Sequence, residues 1–190
     1  LGTMGRSASY GIPRERAHLH FEIGLLKSTA FEAWFERERP GSENRFGIWS
    51  GINLVGFDPL PFFAAARDGR LTSLRDYLHR LRPAFTLRVA TGQTPDFLQR
   101  YPALLAEPLP SGRRIVAWDI DYTWYGLPFR WLARTEADVP GALSGDVRVI
   151  AVDPGAFEGD CRDTIEFHRD GSLRLGSVLE NDLRLIFDFR

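Results

Sequence analysis

Ala17-His18-Leu19-His20-Phe21-Glu22-Ile23 alternates polar and apolar side chains. In an extended chain successive side chains point to opposite sides, so Leu19, Phe21 and Ile23 share one face and His18, His20 and Glu22 the other. The alternation predicts a strand over residues 18–26 with one buried apolar face. His18 and His20 then stand on the same side, separated by two strand rises of ~3.3 Å each. One metal ion, or a metal and its bound water, can meet both. Imidazole is the usual ligand of zinc, and catalytic zinc takes three protein ligands and keeps one position for water. On spacing alone, two surface or hydrogen-bonded histidines satisfy the pattern as well.

The text before this strand, residues 1–17, is rich in Gly, Ser and Arg and contains Gly11 and Pro13; it reads as a strand end followed by a long loop. After it, residues 30–38 predict a helix with Phe31, Trp34 and Phe35 on one side, broken by 40–44. Asp58-Pro59 predicts a helix start, Asp as N-cap and Pro at the first helical position, running through Phe62 and Phe63 to about Gly69. Ser73-Leu74-Arg75-Asp76 resembles a capping box and opens a second helix that ends before Pro83. Thr94-Pro95 starts a third, disturbed at Pro102. Segments 114–122, 127–134, 147–152 and 164–168 are rich in β-branched and aromatic residues and predict strands. Asp170-Gly171 predicts a hairpin joining the last of these to 172–175, and 183–189 is expected as a strand closing the sheet. The fold class expected is α+β. A boundary is expected near residues 66–72, dividing the chain into 1–69 and 70–190.

The surroundings of the histidines separate the two readings. Gly2-Thr3-Met4-Gly5-Arg6-Ser7, a loop, and then His18-Leu19-His20-Phe21-Glu22-Ile23 resemble the end of a lysostaphin/LytM-type peptidase domain. In that family a Gly-x-x-Gly-x-Ser/Thr turn precedes a His-Leu-His-Phe-Glu strand, and a later Asp-Pro-Leu is matched by Asp58-Pro59-Leu60. The likeness covers about residues 1–65. It implies that residues 1–69 are the C-terminal part of a mostly antiparallel-β peptidase domain, followed by a small α+β module over 70–190. It also implies a zinc-dependent endopeptidase (Zn2+ as cofactor) that cuts peptide cross-links of bacterial peptidoglycan, in the periplasm or cell envelope. By the family pattern His20 aligns with a zinc ligand and His18 with the catalytic histidine. Glu22 is a candidate to orient a histidine ring, the alternative being an exposed carboxylate paired with an arginine.

The sequence departs from the family in two places. The other zinc ligands belong to a His-x-x-x-Asp motif upstream of the final strand, and no such motif precedes His18 here. The chain opens Leu1-Gly2-Thr3, with its only methionine at Met4, so a longer parent protein is expected to supply those ligands and any export signal. The isolated chain is then expected to be inactive. Secondly, the loop Ala8–Arg16 is longer and more charged than the short Gly-rich link of the family. Loops on rigid scaffolds carry specificity, which makes Tyr10, Arg14 and Arg16 candidate substrate contacts, against solvated loop side chains. The rival function is a non-catalytic LytM-like protein that binds or activates wall hydrolases. Such relatives have usually lost zinc-ligand residues, and retention of both histidines favours the enzyme.

His79 and His168 lie outside any such motif and read as surface histidines. Trp118, Trp124 and Trp131 cluster with Tyr122 and Tyr125 and raise the idea of a sugar-stacking platform, but Val116, Trp118, Ile120 and Tyr122 alternate as a core-facing strand does. Asp119 and Asp121 share the opposite face, where a solvated surface is the expectation over cation binding. Cys161 is the only cysteine, which excludes an internal disulfide framework or a Cys-rich zinc site. With 190 residues, 44% hydrophobic, the chain is long enough to bury a core. A net charge of -1 argues against nucleic acid or a membrane surface as partner, and no segment approaches the ~20 apolar residues of a membrane span.

Overall fold

The computed structural model describes residues 23–157 and 164–188. Its elements are numbered in chain order: β1 (Ile23–Leu26), α1 (Phe31–Glu38), β2 (Leu54–Phe57), α2 (Pro59–Arg67), α3 (Leu74–His79), β3 (Phe85–Val89), α4 (Asp96–Arg100), β4 (Ile115–Tyr122), β5 (Pro128–Thr135), β6 (Val147–Val152), β7 (Ile165–Phe167), β8 (Leu173–Leu175) and α5 (Ser177–Phe187). The class is α+β with antiparallel sheets, as the sequence pattern predicts.

The alternation of β4 organises the largest sheet. Trp118, Ile120 and Tyr122 point inward and are fully buried, while Asp119 and Asp121 point outward. β3 pairs antiparallel with one edge of β4 and β5 with the other, and β6 lies beyond β3, giving the order β5-β4-β3-β6. The turn from β4 to β5 is closed by Thr123, whose hydroxyl accepts the Leu127 amide at 3.1 Å. Gly126 within that turn has φ +91°, a left-handed conformation that disfavours any side chain.

Phe85, Leu87, Val89, Phe129 and Trp131 complete the inward face. Leu78 of α3, Phe97 and Leu98 of α4, and Leu179, Leu183, Ile186 and Phe187 of α5 cover it. Trp118 and Trp131 meet edge to face at 6.1 Å, and Phe85 stacks on Tyr122 at 5.0 Å. Such pairs add about 0.5–1.5 kcal/mol each beyond the area they bury.

The C-terminal segment corrects one expectation. Residues 183–187 belong to helix α5, not to a strand. Read from Leu175, the segment alternates only locally. Over its full length Leu179, Asp182, Leu183 and Ile186 recur at intervals of three, one and three and form one helical face. Two strands escaped the pattern reading, β2 and β3. β2 is only four residues with Gly56 inside it, and β3 is a five-residue Phe-Thr-Leu-Arg-Val alternation directly after Pro83-Ala84.

The helix starts follow the capping chemistry. The Asp58 carboxylate accepts the Leu60 amide at 2.9 Å, and the Ser73 hydroxyl accepts the Asp76 amide at 3.1 Å. α4 begins just after Pro95 and gives way to a tighter turn over 102–104, where Pro102 interrupts it. The hairpin at Asp170-Gly171 joins β7 to β8.

β1 and β2 form a separate antiparallel pair, with Ile23 opposite Phe57 and Leu26 opposite Leu54. Leu25, Val55 and Phe57 lie in the same apolar cluster as the inward face of the large sheet. The connection from β1 to β2 is a folded insertion over 27–53. In it Phe31, Trp34 and Phe35 of α1 pack with Leu185 of α5 into a second cluster. Buried Asn53 ties the insertion's ends: its side chain accepts the Ser28 amide at 3.0 Å and donates to the Ser28 and Ile48 carbonyls.

Candidate functional site

His18, His20 and Glu22, the loop residues Tyr10, Arg14 and Arg16, and Cys161 all lie outside the described residues. What is described begins at the residue after Glu22. Ile23 opens β1, β1 is held by β2, and β2 runs directly into the Asp58 cap of α2. Gly56 permits this pairing to be close, because a Cβ there would meet the Ile23 carbonyl oxygen at 3.3 Å. The far end of β1 is fixed by α4 and the turn after it: Tyr101 accepts the Leu26 amide at 2.9 Å, and Arg100 donates to the Leu26 carbonyl at 3.2 Å. These contacts explain why Leu26 is buried beside Leu25, where strict alternation would expose it.

Among the described residues no group of three or more His, Cys, Asp or Glu side chains is placed to hold a metal ion. The His79 Nε2 lies 3.1 Å from the Ala103 carbonyl oxygen, and the His168 Nε2 lies 3.3 Å from Glu166. Trp118 and Trp131 are buried, with their indole N–H groups donating to the Gln93 and Pro128 carbonyls. They belong to the core and offer no face to a sugar. Trp124 is half-buried and meets Tyr125 edge to face at 5.4 Å.

Asp119 and Asp121 depart from the solvated surface expected for them. Asp119 is only 6% exposed and is bridged by two guanidinium groups. Arg88 of β3 donates to both of its oxygens at 2.7 and 2.8 Å, and Arg134 of β5 donates through Nε at 2.5 Å. Asp121 accepts the Thr86 hydroxyl and Arg130 Nε, both at 2.6 Å. The hydrogen bond to Asp119 raises the pKa of Arg88, against the opposing effect of burial. Thr86, Asp119, Asp121, Arg130 and Arg134 line a groove of about 350 Å³, walled by Leu132, Ile150, Ala106 and Ala151. The three arginines were not singled out by the sequence reading. The usable signal was Thr86 and Arg88 alternating with the core residues of β3, and Arg130 and Arg134 with those of β5; Thr86 and Arg130 stand opposite Asp121, Arg88 stands opposite Asp119, and Arg134 reaches Asp119 diagonally from opposite Ala117.

A second ionic cluster is sealed. The Lys27 ammonium, 4% exposed, donates to Asp182 of α5 at 2.5 Å and to the Ile52 carbonyl at 2.9 Å. The nearby Tyr122 hydroxyl is pushed far above its ordinary pKa, first by burial and then by the charge of Asp182. It therefore stays protonated across the physiological range.

No helix among the described residues is long and apolar enough to cross a membrane. No protein-family model matches the chain, and no curated protein or solved structure is significantly similar to it.

Proposed function

We propose that this chain is part of a zinc-dependent metalloendopeptidase that hydrolyses peptide cross-links of bacterial peptidoglycan in the periplasm or cell envelope. The observation that carries the reading is the string His18-Leu19-His20-Phe21-Glu22 with Asp58-Pro59-Leu60 following. The antiparallel pairing of β1, which begins at Ile23, with β2, which ends at Phe57 beside Asp58, supports it by linking the two motifs through one hairpin. In this proposal residues 1–69 complete a peptidase domain, and 70–190 form a module held to it through the apolar cluster shared by Leu25, Val55 and Phe57.

His20 is assigned as a zinc ligand. The remaining ligands, a His and an Asp in the family pattern, are assigned to preceding residues of a longer chain, and the isolated 190-residue chain is proposed to be inactive. A zinc ion held by His20 and those ligands would supply an acidified water, its pKa lowered toward ~7, and Lewis-acid polarisation of the scissile carbonyl. His18 is assigned to move a proton or to donate a hydrogen bond to the developing oxyanion. Glu22 is assigned to orient one imidazole ring. Tyr10, Arg14 and Arg16 are assigned as the substrate-contacting side chains of the preceding loop.

The test separates the two histidines in the longer protein. His18→Ala is expected to retain zinc while losing about 10²–10⁴-fold in cleavage of cross-linked wall peptides. His20→Ala is expected to lose both zinc and cleavage. Equal zinc content in both variants together with undiminished cleavage contradicts the proposal.

A further inference from the structure

We propose that the pocket between the α2–α3 connection and α3 binds the phosphate dianion of a small phosphate monoester, with Arg70 and Arg75 as the receiving cations. Three arginines line this pocket, Arg70, Arg75 and Arg80, against one acid, Asp76. The excess remains when the charged groups that touch the lining are added. Arg80 and Asp76 neutralise each other, since Arg80 donates through Nε and Nη2 to the two carboxylate oxygens, both at 2.8 Å. Asp68, outside the lining, is shared by two arginines: Nη2 of Arg70 lies at 2.9 Å and Nε of Arg67 at 3.5 Å. Arg75 has no ion-pair partner among the described residues. Four arginines therefore stand against two carboxylates, an excess of two positive charges. That matches a phosphate monoester, which carries close to two negative charges at neutral pH.

The same contacts set the shape. Nη1 of Arg80 donates to the Arg70 carbonyl at 3.1 Å, which fastens the backbone of the connection to α3 and brings Arg70 beside it. Two hydroxyls add donors to the lining. The Ser73 hydroxyl accepts the Asp76 amide, which leaves its own proton to give, and the Thr72 hydroxyl has no partner among the described residues. His79 is held through Nε2 at the Ala103 carbonyl, and the charge count does not use it. Guanidinium forks and hydroxyls together suit a phosphate, whose three terminal oxygens accept in different directions, better than a planar carboxylate. The volume, about 440 Å³, exceeds what one phosphate group fills and lies in the range of small-molecule sites. That selects a phosphate carried on a small organic group over the free ion. The inference stands apart from the metallopeptidase proposal, since it uses no residue of the histidine strand.

The experiment is calorimetric titration of the full chain with ribose 5-phosphate, and with ribose, inorganic phosphate and sulfate, at matched ionic strength. Ribose 5-phosphate is expected to bind one-to-one, and more tightly than any of the other three. Arg75→Gln should weaken it about tenfold or more, the loss of a charge-assisted pair. Arg75→Lys, which keeps the charge without the fork, should recover part of that loss. Arg148→Gln removes an exposed arginine of β6, outside the pocket, and should leave binding unchanged. Thermal unfolding of each variant reports whether the fold is kept, and Thr72→Val, expected to weaken binding several-fold, serves if Arg75→Gln does not fold. Absence of saturable binding, equal binding by the parent chain and Arg75→Gln, or an equal loss in Arg148→Gln overturns the proposal. So does sulfate or inorganic phosphate binding as tightly as ribose 5-phosphate.

Discussion

Lys27 and Asp182 meet between the first hairpin and α5, at 4% and 7% exposure, whereas Arg88, Asp119 and Arg134 meet on a sheet face whose arginines are about a third exposed. The ingredients are the same and the consequences differ. In the sealed pair the ammonium has left water, and Asp182 and the Ile52 carbonyl offset part of the cost of that. Its contribution is geometric: it ties the chain just after β1 to a helix 155 residues later. In the groove only the carboxylates are deeply buried, and the guanidinium groups keep one side toward solvent. There the buried charge acts to aim an exposed one. Burial of both partners produces a fastener, and burial of one produces a presented group.

The largest expected effect breaks the sealed pair. Lys27→Met or Asp182→Leu alone should cost about 3–5 kcal/mol in urea unfolding, because the partner is left charged and buried. The double variant should recover most of that loss. If the double variant is as unstable as either single one, the pair is not the fastener described. The next effect is in the groove. Arg88→Met removes two charge-assisted hydrogen bonds, but Arg134 still neutralises Asp119, so the expected cost is about 1.5–3 kcal/mol. A cost above that of Lys27→Met would reverse the comparison.

The smallest effect concerns a third junction, between the insertion and α4. Burial opposes ionisation of Asp96 most strongly, but hydrogen bonds from the Thr29 hydroxyl and amide, with Arg100, outweigh it and hold the carboxyl below its ordinary value. A depressed pKa in the folded state gives stability that is present above the unfolded value near 3.8 and lost as pH falls through the folded value. With the side chain 35% exposed, the contribution is expected to stay under about 1 kcal/mol. Asp96→Asn should therefore destabilise slightly at pH 7 and leave stability unchanged near pH 2, as unfolding at the two pH values can measure.

The parts of this fold that could be read from sequence are those specified locally. Asp58-Pro59, Ser73 and Asp170-Gly171 each carry their own turn or cap chemistry, and each does in the structure what its chemistry dictates. The long strands β4 and β5 are also local, because their alternation persists for eight residues. α5 was not, since Leu183-Arg184-Leu185 alternates within a segment whose longer period is helical; only the packing of Leu179 and Ile186 under the sheet and of Leu185 against α1 decides between them. The groove was half legible. Asp119 and Asp121 are plainly on one face, but their arginines come from β3 and β5, and pairing across strands is not written in either segment alone. The histidine strand is legible only as a motif, and its candidate residues His18, His20 and Glu22 rest on sequence.

The central proposal is that this chain supplies one zinc ligand, His20, and one catalytic histidine, His18, with the remaining ligands in a longer protein. Equilibrium zinc titration of this chain, of the longer protein, and of each with His20→Ala tests it most directly. The account predicts weak binding by this chain and tight one-to-one binding by the longer protein that His20→Ala removes. Tight stoichiometric binding by this chain alone, lost on His20→Ala, contradicts the division of the site. A longer protein whose zinc binding is indifferent to His20 contradicts the site itself.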